Sequence, residues 1–244
     1  MENEVKDWRA RTCLLLGEER LQRLAEKHVL AVGLGGVGAF AAEMLVRAGV
    51  GEMTAVDGDT VDPTNRNRQL PALVSTQGRP KTEVMAERLK DINPELRLHT
   101  VRRFLTESDM EALFASAQFD LVLDAIDSVG PKTALLAYAV RHGIPVVSSM
   151  GAGARLDPEK VRCADISKTS VCGLARAVRL KLRKQNITHG VTAVFSVEES
   201  RKESIVPDPS AGFGKRSATG TVSYMPAVFG CHCAAAAIRL LCGL

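Results

Sequence analysis

No two of the six cysteines form a Cys-x-x-Cys pair; Cys13, Cys163, Cys172, Cys231, Cys233 and Cys242 are scattered along 244 residues. A chain of that length builds a core without covalent staples, so reduced thiols are expected. No apolar run approaches the roughly 20 residues that a membrane-crossing helix needs, and no membrane is expected as a partner. Met1-Glu2-Asn3-Glu4 has two acids and no apolar core, unlike a secretory signal or a transit peptide, so a cytoplasmic location is expected. Acidic residues are absent between Asp165 and Glu198, while Lys168, Arg176, Arg179, Lys181, Arg183 and Lys184 all fall in that stretch. The overall net charge of +4 neither requires nor excludes a polyanionic partner; its local concentration says more. With 45% hydrophobic and 25% charged residues the composition is that of an ordinary globular α/β protein.

Short apolar runs at 29–32, 53–56, 96–101, 121–123 and 144–148 are predicted strands. Helical periodicity covers 36–48, 81–92, 107–115 and 131–141, the last with proline near its first turn. This alternation predicts a doubly wound, mostly parallel Rossmann-like α/β sheet up to residue 150. An additional C-terminal α+β portion follows, with strands at 161–164 and 191–197, a helix at 174–184 and an apolar closing helix at 226–241. The expected organisation is one domain over 1–244, with a nucleotide-binding part at 1–150 and a substrate and dimer part at 151–244. The polar connection 60–80 is unusually long, which in a compact domain signals function. Residues 198–219 are expected to be a loop.

Gly33-Leu34-Gly35-Gly36-Val37-Gly38 satisfies Gly-x-Gly-x-x-Gly at a predicted strand-to-helix junction. Gly33 permits a tight turn, Gly35 lets backbone approach a phosphate, and Gly38 lets the helix pack on the strand, with Gly36 inside the same loop. Asp57 ends the next predicted strand, where an acid can bind ribose hydroxyls. These features indicate a nucleotide without saying which. The continuation through Asp59, Asn65, Arg66, Arg68, Gln69, Arg79 and Lys81 suits a triphosphate, whose charge must be neutralised as it reacts. A nicotinamide oxidoreductase needs little beyond the acid, and a non-catalytic binding protein needs less. Asp127, just past the strand that ends at Asp124, can reach the same crevice and hold magnesium, a hard ion that prefers carboxylate and phosphate oxygen.

Taken together, Gly33–Gly38, Asp57-x-Asp59-x-Val61, Asn65-x-x-Arg68-Gln69, Gly78-x-Pro80-Lys81 and Asp127 resemble the ubiquitin-activating-like adenylyltransferases, which include the sulfur-carrier activators. The resemblance implies that Asp57 holds the ATP ribose, that Asn65, Arg68 and Lys81 bind phosphates, that Asp127 positions magnesium, and that Asp59 and Ser128 line the same site. The segment Arg11-Thr12-Cys13-Leu14-Leu15 looks like the family's N-terminal element, whose arginine reaches the partner subunit's phosphates; Arg11 in trans, and hence a homodimer, is implied.

A narrower resemblance rests on Asp124–Val129 with Pro131-Lys132, Gly151-Ala152-Gly153 with Asp157-Pro158, Ala164-Asp165-Ile166 with Lys168-Thr169, and Val194-Phe195-Ser196. These are similar to the tRNA threonylcarbamoyladenosine dehydratases. That implies tRNA as partner, adenylation of the threonyl carboxylate, and closure of an oxazolone ring by the neighbouring carbamoyl group. Some relatives also work with a cysteine desulfurase or sulfur-acceptor system. Two stretches depart from the pattern: Arg9-Ala10 stands where an aromatic residue and serine are usual, and Ser170–Leu174 where Asp-Pro-Leu is usual.

Sulfur-carrier activators, the alternative within the superfamily, often carry paired Cys-x-x-Cys zinc ligands, which this chain lacks. Cys231 and Cys233 would point about 200° apart on a helix, so core packing is expected there rather than metal ligation. Nothing near Cys163 or Cys172 marks a thioester-forming nucleophile. The helix at 174–184 is amphipathic, with Arg176, Arg179 and Arg183 sharing one side, and is a candidate contact for RNA phosphates.

Overall fold

The computed structural model describes residues 7–208 and 217–244. Two short helices, α1 (Ala10–Leu16) and α2 (Glu18–Ala25), precede β1 (His28–Val32). Next come α3 (Gly38–Ala48), β2 (Glu52–Val56), α4 (Lys81–Ile92), β3 (Arg97–Val101), α5 (Met110–Ala115), β4 (Leu121–Asp124), α6 (Val129–Arg141) and β5 (Val146–Ser149). The chain continues through β6 (Val161–Asp165), α7 (Gly173–Arg183), β7 (Thr192–Ser196), β8 (Ile205–Pro207), β9 (Ser217–Thr219) and α8 (Tyr224–Cys242).

Seven strands form one sheet in the order β3-β2-β1-β4-β5-β7-β6, parallel except for the β6–β7 pair. Strand alternation distributes the core to two faces. Val29 and Ala31 of β1, with Met53, Leu121, Leu123 and Val147, pack beneath α3, α4 and α8. Leu30 and Val32, with Val56, Val122 and Phe195, pack against α5, α6 and α7 on the other face. The predicted doubly wound sheet is therefore present, and β6 and β7 extend that same sheet.

Several expectations need correction. Two helices were not expected: α1, which buries no residue, and the amphipathic α2, whose eight residues bury Leu21 and Leu24. The helix expected at 107–115 opens as a 3-10 turn, Glu107–Asp109, because Asp109 turns its carboxylate back to the Thr106 N–H at 2.7 Å. Within the expected loop at 198–219, β8 and β9 pair as a short antiparallel ribbon; residues 209–216 lie outside the described part. The closing helix is longer than expected: α8 has 19 residues and is, by length and composition alone, apolar enough to cross a membrane. In this fold half of its most apolar window is buried, with Met225, Phe229, Cys233 and Ala237 in the core against α3 and the sheet.

One polar contact lies inside the core. The Lys132 ammonium of α6 donates to the Asp124 carboxylate at the end of β4 at 2.5 Å, and both side chains are fully buried. The Ser148 hydroxyl of β5 donates to the same oxygen at 2.6 Å, and the Ile126 N–H donates to the other at 3.0 Å. A buried pair of this kind is worth little net, but removing one partner strands the other charge. Lys132→Met is therefore expected to cost about 3–5 kcal/mol of stability, read as a lowered urea midpoint. Asp124→Asn introduced with Lys132→Met should recover part of that loss. A single variant as stable as the wild-type chain would show that the pair carries no such charge.

Candidate active site

The first βα turn places its glycines by steric exclusion. Gly33 has φ +91°, and a Cβ there would meet the Ala125 carbonyl oxygen at 2.8 Å. A Cβ on Gly38 would lie 1.7 Å from the Gly33 carbonyl oxygen. The loop therefore closes tightly onto the N-terminus of α3, whose free N–H groups favour an anion. Gly35 and Gly36 form its outer side; a Cβ on Gly36 would meet Pro226 of α8 at 3.0 Å and the Arg68 carbonyl oxygen at 3.4 Å.

Asp57 ties this turn to the next strand. Its carboxylate accepts from the Leu34 N–H at 2.6 Å and from the Asp59 N–H at 2.7 Å. Burial holds its carboxyl above the usual range, opposed by the Lys81 charge and the two N–H donors. The connection 60–80 folds back on itself: Gly78 N–H donates to Val61 O, Val61 N–H to Arg79 O and Lys81 N–H to Asp59 O, with a bridge between Thr60 and Pro80. That return brings the ammonium of buried Lys81 to within 2.8 Å of the Asp59 carboxylate.

Asn65 is buried in the capped turn Pro63–Asn65, where its Oδ1 accepts from the Asp62 N–H at 3.3 Å and its carbonyl accepts from the Arg68 N–H. The Arg68 guanidinium donates to the Thr64 carbonyl at 2.9 Å and to Asn67 Oδ1 at 2.8 Å. Desolvation lowers its pKa, opposed by the Asp127 charge. Asp127 is exposed, and Ser128 stands at the N-cap position of α6 without a side-chain capping bond.

The structure thus gathers Gly33–Gly38, Asp57, Asp59, Asn65, Arg68, Lys81, Asp127 and Ser128 at the carboxyl ends of β1, β2 and β4. It separates two cations from them. Arg79 is ion-paired with Glu87 of α4, and Arg66 folds onto the Pro63 carbonyl at 3.3 Å. Arg11 is likewise remote within its own chain. The Arg9 side chain approaches Gly49, at the far end of α3 from the glycine loop. Eleven helical residues at about 1.5 Å each separate those ends by roughly 16 Å.

Cys231 is exposed and Cys233 is buried, so the two diverge as helix geometry requires. Burial pushes the Cys233 thiol up, and desolvation also raises the Cys163 thiol, the opposite of what an activated nucleophile needs. Cys172 is buried.

Among the described residues, His28, Glu52 and His99 present potential metal-ligand atoms within 4.8 Å of one another. They sit at the opposite end of the sheet from the glycine loop, where β1 and β2 begin. Glu52 is already ion-paired with Arg97 at 2.9 Å, and His28 Nε2 is bonded to Thr54 Oγ1 at 2.9 Å. That cluster is internally satisfied. The exposed Asp127 carboxylate, beside the phosphate loop, is the better-placed hard ligand for a nucleotide's metal.

The sequence assigns no role to Asn67 or Arg155, and Asp124 and Lys132 enter it only as part of a resemblance; their pairing, and the contacts of Asn67 with Thr221 and of Arg155 with Glu198, come only from the fold.

A model of the ThiF family matches residues 9–244. This chain belongs to the ThiF family. Among its relatives in that family, the tRNA threonylcarbamoyladenosine dehydratase of Bacillus subtilis is 46% identical over 189 residues, which is 78% of this chain and 74% of that protein. The protein of the same name from Escherichia coli is 44% identical over 201 residues, covering 78% of this chain and 75% of the other. A crystal structure of the Escherichia coli dehydratase TcdA in complex with ATP superposes with a TM-score of 0.84 at 38% identity, covering 95% of this chain and 92% of that one.

The ThiF-family turn allows no side chain at Gly38. Gly38→Ala is expected to weaken ATP binding by at least about tenfold, some 1.4 kcal/mol, measured by calorimetric titration, while Gly173→Ala, at an open position with ordinary backbone, should leave it unchanged. Equal affinity in Gly38→Ala would mean that the turn opens without cost.

Proposed function

We propose that this chain is an ATP-dependent tRNA threonylcarbamoyladenosine dehydratase, which adenylates the threonyl carboxylate of the modified adenosine and lets the activated arm close on itself. The observation that carries the reading is a glycine turn tied through Asp57 to the Asp59–Lys81 pair, in a chain that matches dehydratases of that name over most of their length.

The chemistry asks little of the protein beyond charge and position. A carboxylate oxygen attacks the α-phosphorus of ATP, an O–P bond forms, and pyrophosphate leaves with the electron pair. The helix α3 N-terminus, Lys81 and Arg68 supply fixed positive charge where negative charge accumulates. Lys81 reaches that space already desolvated, and Asn65 holds the turn that presents Arg68. Asp57 orients the ribose. Magnesium, when bound at Asp127, supplies charge neutralisation on the phosphate oxygens. The carbamoyl oxygen then attacks the activated carbonyl, AMP leaves, the carbamoyl nitrogen gives up a proton, and an oxazolone ring results. The substrate contributes its own nucleophile, consistent with the unactivated state of Cys163.

Arg11 would enter the site from a second copy of the chain. Support comes from α1, where Leu14 and Leu15 are 88% and 84% exposed on a helix that buries nothing of its own. Two adjacent leucines so placed favour a homodimer. The alternative acceptor, the C-terminal carboxylate of a small sulfur-carrier protein, uses the same ATP chemistry.

The acid-free segment supports the RNA acceptor. In α7, Ala175, Val178 and Leu182 are buried, while Arg176 and Arg183 are exposed and Arg179 is bonded to Thr169. The N-terminal end of α7 lies by Gly151, just past β5, on the same rim as the nucleotide site.

Incubation with ATP, magnesium and tRNA carrying threonylcarbamoyladenosine should yield a nucleoside lighter by one water, and Asp127→Ala should abolish it. No mass change, with pyrophosphate exchange driven by a carrier protein instead, would transfer the function to the alternative. The Arg176/Arg179/Arg183 triple alanine variant should bind tRNA more weakly, with the log–log salt slope shallower by about 2–3. An unchanged slope would remove α7 from the interface.

A further inference from the structure

A cavity of 430 Å³ opens beside the phosphate loop, lined in part by Asn67, Arg155, Arg201, Ser204, Thr221 and Ser223. Four separate segments build it. Ala154 N–H donates to Gly220 O at 2.8 Å, Arg201 N–H to Ala154 O at 3.0 Å, and Gly220 N–H to Ser204 O at 2.8 Å. Asn67 forms the wall towards the nucleotide. Its amide donates to Thr221 O at 2.9 Å, and its Oδ1 accepts from the Arg68 guanidinium. One side chain thus connects this cavity to the arginine assigned to the phosphates.

Arg155 is only 4% exposed, and its guanidinium is incompletely paired. It donates to the carbonyls of Gly151 at 2.7 Å, Gly153 at 3.0 Å and Glu198 at 3.3 Å. Its Nη2 is buried without any hydrogen-bond partner. The Glu198 carboxylate does not compensate it; it accepts instead from the Leu156 and Asp157 N–H groups at 3.0 and 2.8 Å. A buried cationic donor left unpaired is costly, and such groups persist where something else completes them. A guanidinium is completed best by a carboxylate.

We propose that this cavity is the subsite that receives the carboxylate to be adenylated, with the guanidinium of Arg155, a lining residue, turning its buried, unpaired Nη2 to it as the donor. The inference rests on the adenylating reading given above and names the acceptor subsite within it. The remaining lining suits the rest of a threonylcarbamoyl arm. The hydroxyls of Ser204, Thr221 and Ser223 and the amide of Asn67 are partners for a hydroxyl and a urea, and Val222 and Leu156 offer apolar surface for a methyl group. The volume fits a small acyl arm. Because Asn67 links the cavity to Arg68, the carboxylate would be presented towards the phosphates.

The test compares binding of N-threonylcarbamoyladenosine nucleoside and its methyl ester to the full chain, saturated with a non-hydrolysable ATP analogue, by calorimetry. The wild-type chain should prefer the acid over the ester by at least about tenfold. Arg155→Gln should bring the two within about twofold while leaving affinity for the ATP analogue unchanged, and Arg155→Lys should restore part of the preference. Because Arg155 also braces two loops, Ser223→Glu provides an independent arm: a carboxylate on the cavity wall should weaken the acid by about tenfold and spare the ester. A wild-type chain without acid preference, or either variant with the preference intact, would overturn the subsite. Failure of the tRNA to lose water, with acid preference present and sensitive to Arg155, would remove the dehydratase reading and leave the carboxylate subsite standing.

Discussion

Asp124 and Lys132 meet beneath the carboxyl end of β4 where water reaches neither, and the geometry around them follows from keeping that pair satisfied. The carboxylate cannot be left with one partner, so it draws in the Ser148 hydroxyl from β5 and the Ile126 N–H from the loop that follows β4. Three elements are locked together by one side chain. The loop from Ala125 to Ser128 leaves that lock in a set direction, its backbone packed against Gly33 and Asp127 exposed beyond it. The phosphate turn and the candidate metal ligand are therefore supported by the same buried charge.

A second constraint governs the long connection between β2 and α4. Buried backbone must find hydrogen-bond partners, and this loop finds them in itself: the two arms flanking Thr60 and Pro80 bond to each other, and Asn65 caps its own turn. The segment is ordered by local bonding, and the cations it carries are sorted by that order. Lys81 is turned inward to Asp59, Arg68 is bonded to Thr64 and Asn67, and Arg79 is turned outward to Glu87. Three basic residues of similar appearance in sequence thereby acquire different electrostatic surroundings.

The rim above the sheet is assembled from parts of the chain that share no sequence neighbourhood. Asn67 comes from the β2–α4 connection, Arg155 follows β5, Ser204 precedes β8 and Thr221 leads into α8. Backbone bonds between these segments make a concave, polar surface next to the phosphate loop. This is the region where open α/β sheets bind their ligands, outside the carboxyl ends of the strands. The antiparallel addition of β6 to β7 lets the chain return over that rim, and α8 closes it from the other side through Pro226 at Gly36.

How much was legible before the fold depends on how local the physics is. The glycine turn, the acid after β2 and the alternation of strand and helix are written in adjacent residues, because a tight turn forbids side chains and strand or helix periodicity repeats within a few positions. The helix α1 was not legible, since its leucines are exposed and it buries nothing; α2 is amphipathic, but its two buried leucines fall in only eight residues, too short a run to establish a helical period. The β8–β9 ribbon was missed for the same reason: its residues are mostly exposed, and its pairing is across a gap rather than along the chain. The sequence by itself determined a doubly wound sheet, a phosphate turn and the residue types able to neutralise a nucleotide. Only the tertiary structure decided which cations face that nucleotide, which acid is buried with its lysine, and that Arg155 lies beside Asn67 with a donor unpaired. Those facts are sums of contacts between segments distant in the chain, and no local pattern encodes a sum of that kind.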